Sequence, residues 1–277
     1  MHASYEESAA TELTLRLADG EIQVYLDGPR YAPALLLIHG TAASARTWTP
    51  MVPLLAESHR VIRIDLLGCG RSAEPADASY TVPDQANRAS AALSQLGVER
   101  AVVVGHSSGG VVAAAVAEHR PDLVSALALV NTGPRMAAYL GENAAIDPAQ
   151  WPNLSDEQLR HIASSAFAPG YRIPQPFLDQ VRAMNLRVFA ATSQAVRDYL
   201  DEQALPERLR NLGKPLLAIF GAEDRRWNVA SAAEYREVAG GTVELLPDLG
   251  HSPNLEDPAR TAQVLLEFTR NQATTRR

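Results

Sequence analysis

The chain has 277 residues, 46% of them hydrophobic, which excludes wholesale disorder and suits one large α/β domain with an insertion or two small domains. Its formal net charge is −7, from 25 Lys and Arg against 32 Asp and Glu, and this argues against nucleic acid as main partner because phosphate binding needs a basic surface. One cysteine, Cys69, rules out an intramolecular disulfide, and there is no run of about 18 apolar residues to span a membrane.

The opening Met1 to Thr11 carries Glu6 and Glu7 but no Lys or Arg. It lacks the basic start and apolar stretch of a secretory signal, so a cytoplasmic location is expected. Next, Leu13, Leu15 and Leu17 alternate with polar residues, Asp19-Gly20 offers a tight turn, and Ile22 and Val24 alternate again. That pattern predicts a β-hairpin.

From Ala34 the pattern changes to short, mainly aliphatic runs: Ala34–Ile38, Val61–Ile64, Ala101–Val104, Ala126–Val130, Leu216–Phe220 and Val243–Leu246. Such runs suit parallel strands buried on both faces. Helical stretches separate them. Thr49-Pro50 and Asp257-Pro258 each place an N-cap before a first-turn proline. Val82, Ala86, Ala89, Leu93 and Leu96 recur at helical spacing, and Gly97 closes that helix. Strand and helix alternate, which predicts an α/β fold: a doubly wound, mostly parallel eight-stranded sheet with an antiparallel start.

The alternation breaks after Asn131, and the interval before Leu216 is far longer than a usual crossover. A Ser155-Asp156-Glu157-Gln158 capping box leads into Leu159, Ile162, Ala163, Ala166 and Phe167. A second amphipathic stretch carries Phe177, Val181, Met184 and Val188, and a third Val196, Tyr199 and Leu200, with Pro169, Pro174 and Pro176 marking breaks. A helical cap over 134–206 is therefore expected, inserted into a core of 1–133 and 207–277.

The strongest chemical signal is Gly105-His106-Ser107-Ser108-Gly109, a G-x-S-x-G between the run Ala101–Val104 and the helical Val111–Glu118. A nucleophile at the apex of a sharp strand-to-helix turn needs flanking glycines, and the helix N-terminus favours developing negative charge. Ser107 is the candidate nucleophile, and a serine hydroxyl needs a neighbouring base. Of the seven histidines, His251 lies directly after the last predicted strand, at the carboxyl end of the sheet where α/β sites form. His39 and His106 read as structural; His2, His59, His119 and His161 lack such a context.

A third group should hold the imidazole tautomer. Asp224 follows the run Leu216–Phe220 and keeps the chain order Ser, Asp, His; Glu223 and Asp248 compete less well. An acid after Ala126–Val130 is another solution, but Asn131-Thr132-Gly133 offers no carboxylate. For the oxyanion, the backbone N–H of Ser108 is one candidate donor, and the N–H of Thr41, after His39-Gly40, the other. No cluster has metal-ligand spacing, and no cofactor is called for.

His39-Gly40, Asp65-Leu66-Leu67-Gly68-Cys69-Gly70-Arg71-Ser72, the G-x-S-x-G, Gly221 to Asp224 and Gly250-His251 occur in an order that resembles the α/β-hydrolase superfamily. The likeness is to its capped esterase, cofactor-free haloperoxidase and carbon–carbon hydrolase branches, and runs from about Leu13 to Phe268. The resemblance implies that Asp65 and Cys69 belong to a structural turn. Haloperoxidase-like and dehalogenase-like members often carry proline where this chain has Thr41-Ala42. Dehalogenases and many epoxide hydrolases use aspartate where this chain has Ser107.

The leading expectation is hydrolysis of a carboxylic ester or lactone of a mainly apolar small molecule through an acyl-enzyme on Ser107. The alternatives are carbon–carbon cleavage or other triad chemistry, and a non-catalytic ligand receptor. Trp151, Phe167, Tyr171, Phe177, Phe189 and Tyr199 are expected in the cap as packing or substrate walls, and Trp48 and Trp227 beside active-site loops. Arg225-Arg226 reads as a solvated loop pair; an arginine facing the pocket would instead suit an anionic substrate.

Overall fold

The computed structural model describes residues 10–141 and 149–274. The expected absence of a signal rests on a stretch that, with His2, falls mostly outside the described residues, and so does 142–148 of the expected cap.

Eight strands form one sheet: β1 (Thr11–Leu17), β2 (Gly20–Asp27), β3 (Ala34–Ile38), β4 (Arg60–Ile64), β5 (Ala101–His106), β6 (Val124–Val130), β7 (Leu216–Gly221) and β8 (Gly241–Leu246). Their order is β1-β2-β4-β3-β5-β6-β7-β8. The β1–β2 hairpin and the β2–β4 pair are antiparallel, and every other pair is parallel.

Side chains alternate across each strand, so the unbroken aliphatic runs feed two cores at once. Leu36, Ile38, Val103, Leu127 and Phe220 face one core. Leu35, Leu37, Val104, Ala128 and Ile219 face the other. The helices are α1 (Val52–Leu55), α2 (Val82–Gln95), α3 (Ser108–His119), α4 (Asp156–Ala163), α5 (Gln175–Arg182), α6 (Leu186–Glu202), α7 (Leu205–Leu209), α8 (Pro253–Glu256) and α9 (Pro258–Thr274). Residues of α2 and α3 close the first face. On the second lie Ala262 and Leu265 of α9, with Trp48, Met51 and Leu55.

Between β6 and β7, α4 to α7 make a helical insertion. The Ser155–Gln158 capping box forms as expected and starts α4. Trp151, Leu159, Ala163, Leu178 and Val181 make a small core of their own. Val188, Tyr199 and Leu200 of α6 instead join the sheet's first core.

Four local expectations are corrected. Val243–Leu246 is not buried on both faces, because β8 is the sheet edge and Leu245 is 47% exposed. Thr49 does not cap a helix at Pro50: a 3-10 helix runs from Ala45 to Met51 with Ser44 as its cap, and the Thr49 hydroxyl accepts from Arg63. The stretch Phe177 to Val188 is not one helix. Asn185 accepts from the N–H groups of Arg187 and Val188, starting α6 and leaving Met184 between the two helices. Pro176 is likewise no break, since it sits in the first turn of α5.

Candidate active site

The β5–α3 junction puts Ser107 at φ 54°, ψ −125°, a left-handed conformation costly for a residue with a Cβ. The surroundings impose it. Ser107 N–H donates to Val130 O at 2.8 Å, and its carbonyl accepts from Thr132 Oγ1 at 2.9 Å and from Gly110 N–H at 2.9 Å. Gly109 lets the helix press against the end of β3, where a Cβ would lie 2.3 Å from His39 O. Ser107 is left partly accessible at the N-terminus of the 12-residue α3.

Three loops at the carboxyl ends of β5, β7 and β8 bring the candidate residues together. Ser107 Oγ lies 2.9 Å from His251 Nε2, and His251 Nδ1 lies 3.0 Å from Asp224 Oδ2. An ionised carboxylate can only accept, so the proton sits on Nδ1 and Nε2 is the acceptor facing the serine hydroxyl. His251 is 1% exposed.

Asp224 is surrounded by donors: Asn131 Nδ2 to Oδ2 at 2.7 Å, and the N–H groups of Arg226 and Trp227 to Oδ1 at 2.7 and 3.3 Å. Burial works against its ionisation, yet the His251 imidazole and these donors outweigh burial and hold the carboxyl below its ordinary range. The competitors Glu223 and Asp248 are exposed and take no part in this line.

His39 and His106 sit close by in supporting positions. Leu66 N–H donates to His39 Nε2 at 3.0 Å, so Nδ1 carries the proton and donates to Gly40 O at 2.8 Å. His106 Nε2–H donates to the His251 carbonyl at 2.7 Å, leaving Nδ1 buried and unpartnered. Burial depresses both imidazoles, His106 to about 3, so both stay neutral.

Thr41 and Ser108 are neighbours across the site, with Thr41 Oγ1 donating to Ser108 Oγ at 2.7 Å. The loop between β3 and the 3-10 helix passes so close to Ser107 that a Cβ on Gly40 would lie 3.1 Å from the serine Cβ. Asp65 accepts from the N–H groups of Ala45 and Arg71 at 2.7 and 2.9 Å and pins the turn that holds Cys69. Cys69 is partly exposed, but burial pushes its thiol up to about 12, which suppresses the thiolate.

The cavities and the chemistry do not coincide. A cavity of about 560 Å³ opens between the insertion and the loops 42–50 and 68–74, with Phe177, Phe189, Met184, Val188 and Leu255 in its walls, but neither Ser107 nor His251 reaches it. A second, of about 20 Å³, abuts Thr41 and Ser108 and shares Cys69 and Thr192 with the first. The candidate groups are therefore marked by their mutual distances, and the large cavity lies beside them. Of the six aromatics expected in the cap as packing or substrate walls, Phe177 and Phe189 line the large cavity and the other four do not. Trp151 fills the insertion's own core, Phe167 stacks on Tyr171 at 5.1 Å, and Tyr199 bonds Glu118 with Arg208 over its ring. Trp48 and Trp227 are buried, in the second and first sheet cores respectively.

Arg225 is exposed, as expected of a loop residue, and Arg226 is half-buried, but neither guanidinium is left to solvent alone. Arg225 Nη2 donates to Ser164 O and Phe167 O, and Arg226 Nε to Ser165 Oγ at 3.2 Å, so both tie the acid loop to the insertion. Burial pushes the Arg226 guanidinium down.

Sequence reasoning missed Asn131, noted only as a place without a carboxylate. Besides Asp224, its Nδ2 reaches Gly250 O at 3.2 Å, and its Oδ1 accepts from Gly221 N–H at 3.2 Å. The available signal was an asparagine directly after a buried strand, since Asn tolerates positive φ; here φ is 45°. Among the described residues, no group of three or more His, Cys, Asp or Glu is placed to hold a metal ion, and no helix is long and apolar enough to cross a membrane.

The profile of the alpha/beta hydrolase family matches residues 35–264. The pimeloyl-(acyl-carrier protein) methyl ester esterase of Edwardsiella ictaluri is 29% identical, over 84% of this chain and 92% of its own. The 2-hydroxy-6-oxo-6-(2'-aminophenyl)hexa-2,4-dienoic acid hydrolase of Metapseudomonas resinovorans is 25% identical, over 96% and 93%. Among solved structures, a hydrolase from Pseudomonas aeruginosa is 26% identical with a TM-score of 0.79, over 94% of this chain and 98% of that one.

Proposed function

This chain belongs to the alpha/beta hydrolase family, and from that premise we propose that it is a serine hydrolase cleaving a carboxylic ester or lactone of a mainly apolar small molecule. The observation that carries the reading is the connected line from Ser107 Oγ through His251 to Asp224, at 2.9 and 3.0 Å. Ser107 attacks the carbonyl carbon while His251 Nε2 takes its proton, and Asp224 steadies the imidazolium. The backbone N–H groups of Thr41 and Ser108 receive the oxyanion, supported by the closeness of the Gly40 loop to Ser107 and by the dipole of α3. His251 then protonates the leaving alkoxide, and a water activated by the same imidazole releases the acyl group. The helical insertion, over 134–206, acts as the cap, and its apolar walls around the 560 Å³ cavity favour an apolar substrate group.

A second reading is hydrolytic cleavage of a carbon–carbon bond in a vinylogous diketone. The near full-length likeness to the Metapseudomonas resinovorans enzyme favours it. A panel of chromogenic esters and lactones, with one vinylogous diketone, run on wild type and Ser107→Ala, tests both. Ester or lactone turnover that vanishes in the variant is expected. Turnover of the diketone alone would replace the first reading by the second, and turnover that survives Ser107→Ala would remove both.

A further inference from the structure

One carboxylate beyond the Asp224 line touches the loop that carries His251 on both sides. Glu256 Oε2 accepts from Gly250 N–H at 2.9 Å, and Oε1 from Ser252 N–H at 2.9 Å, so the two amides flanking His251 end on the same side chain. Oε2 also accepts from the insertion, from Ala168 N–H at 2.8 Å. The two segments meet closely here, because a Cβ on Gly250 would lie 2.1 Å from Ala168 N. A second tie runs alongside, with Tyr171 O–H donating to Leu255 O at 2.9 Å.

We propose that Glu256 is a positioning residue that couples the helical insertion to the base loop, setting the place of the His251 imidazole through the three N–H groups its carboxylate collects. The proposal rests on the reading of His251 as the base for Ser107. Three amide donors around an anion make charge-assisted hydrogen bonds, shorter and stronger than neutral ones, and they act where the chain has no regular secondary structure to hold it. The imidazole has to stay within hydrogen-bond reach of Ser107 Oγ, and a small misplacement there is costly in rate. Ala168 shares Oε2 with Gly250, so a displacement of the insertion at 164–171 is felt by the residue before His251.

The experiment compares wild type, Glu256→Ala, Glu256→Gln, Tyr171→Phe, the double variant Tyr171→Phe with Glu256→Ala, and Ser107→Ala. Each is measured for kcat and KM on a chromogenic butyrate ester, for the rate of labelling by a small alkyl fluorophosphonate, and for Tm. Glu256→Ala is expected to lower kcat and the labelling rate together by about 10–100-fold, with KM moving less than about threefold. Glu256→Gln should lose less, since its amide oxygen still accepts on one side, and it decides the matter if the alanine variant does not fold. Tyr171→Phe should shift kcat the same way by a smaller factor, and that factor should shrink in the Glu256→Ala background because the two ties share one segment.

A folded Glu256→Ala or Glu256→Gln protein with labelling and kcat within about twofold of wild type, whatever its Tm, overturns the proposal and leaves Glu256 a merely structural clasp. Ser107→Ala separates the two failures. If that variant still turns over, the serine reading has failed; if it is silent while Glu256→Ala matches wild type, only the coupling has failed.

Discussion

The sheet and the helical insertion are built to different tolerances. Leu35, Leu36, Leu37 and Ile38 of β3 are all 0% exposed, divided between two cores, so a one-residue slip would exchange every side chain between faces. The α4–α5 half of the insertion rests on five buried residues of its own, with the sheet-borne loops held to it by Arg225, Arg226, Glu256 and Tyr171. Groups that must hold a geometry to a few tenths of an ångström sit on loops of the over-determined frame. Groups that only have to be apolar and close sit on the adaptable one. Substitutions at the sheet's loop residues should therefore appear in kcat, and those in the insertion's cavity wall mainly in KM, while Tyr171, which ties the insertion to Leu255, falls with the first group.

The hardest test of that division is Ser107→Ala, which should cut turnover by about 10⁶-fold while leaving Tm near wild type, because the side chain lies outside both cores. Substantial remaining turnover would point to another nucleophile. Asp224→Asn should cost roughly 10³–10⁴ in kcat, by forcing the wrong imidazole tautomer toward Ser107. A loss of only a few-fold would move the role to Glu223 or Asp248.

Asn131→Gly sharpens the comparison, since glycine keeps the positive φ and removes only the side chain. A fall in kcat of about 10–100-fold is expected, with about 1–3 kcal/mol of stability lost as its buried partners go unpaired. An unchanged kcat would show that Asp224 is held well enough by the Arg226 and Trp227 amides. On the other side of the comparison, Phe177→Ala should raise KM for longer acyl esters by about tenfold or less and leave kcat nearly constant. A kcat loss as large as that of Asn131→Gly would end the distinction between the two regions.

The smallest effect concerns pH. His39 and His106 have folded pKa values below the unfolded value, so the unfolded chain binds more protons as pH drops, and their contribution is fully present above about pH 6.5 and declines below it. Between pH 7 and 5.5 His106 should cost about 1 kcal/mol of unfolding free energy, and His39 adds to the decline in the same direction. Asp224, also depressed, acts in the same direction but only at more acid pH. Urea unfolding measured across that window should show the decline, and the slope should shrink in His106→Asn; a flat profile would mean the imidazoles protonate in the folded state.

Much of the frame was legible because its signals are local. The alternation at Leu13, Leu15 and Leu17 became β1, the six aliphatic runs became the parallel strands, and the Ser155–Gln158 box started α4. What misled was context. Val243–Leu246 follows the spacing of the inner runs, but it carries Glu244 and became an edge strand, where one face meets solvent. Thr49-Pro50 carried the chemistry of a helix start, yet Ser44 five residues earlier took the cap and Arg63 claimed the threonine hydroxyl. Arg225 and Arg226 looked like solvated loop residues because the acceptors of their guanidinium groups, on Ser164, Ser165 and Phe167, lie 58 to 61 positions away in the chain.

By itself the sequence determined where strands and helices alternate and which serine, carboxylate and histidine stand at strand ends. Periodicity, caps and tight turns act over a few residues and can be read from a few residues. Only the tertiary structure decided that Asp224 comes within hydrogen-bond distance of His251, that Asn131, 93 positions earlier in the chain, holds that carboxylate, and that Glu256 collects an amide from a segment 88 positions away. A hydrogen bond between distant residues depends on the packed frame that brings them within about 3 Å, and no local pattern records that distance.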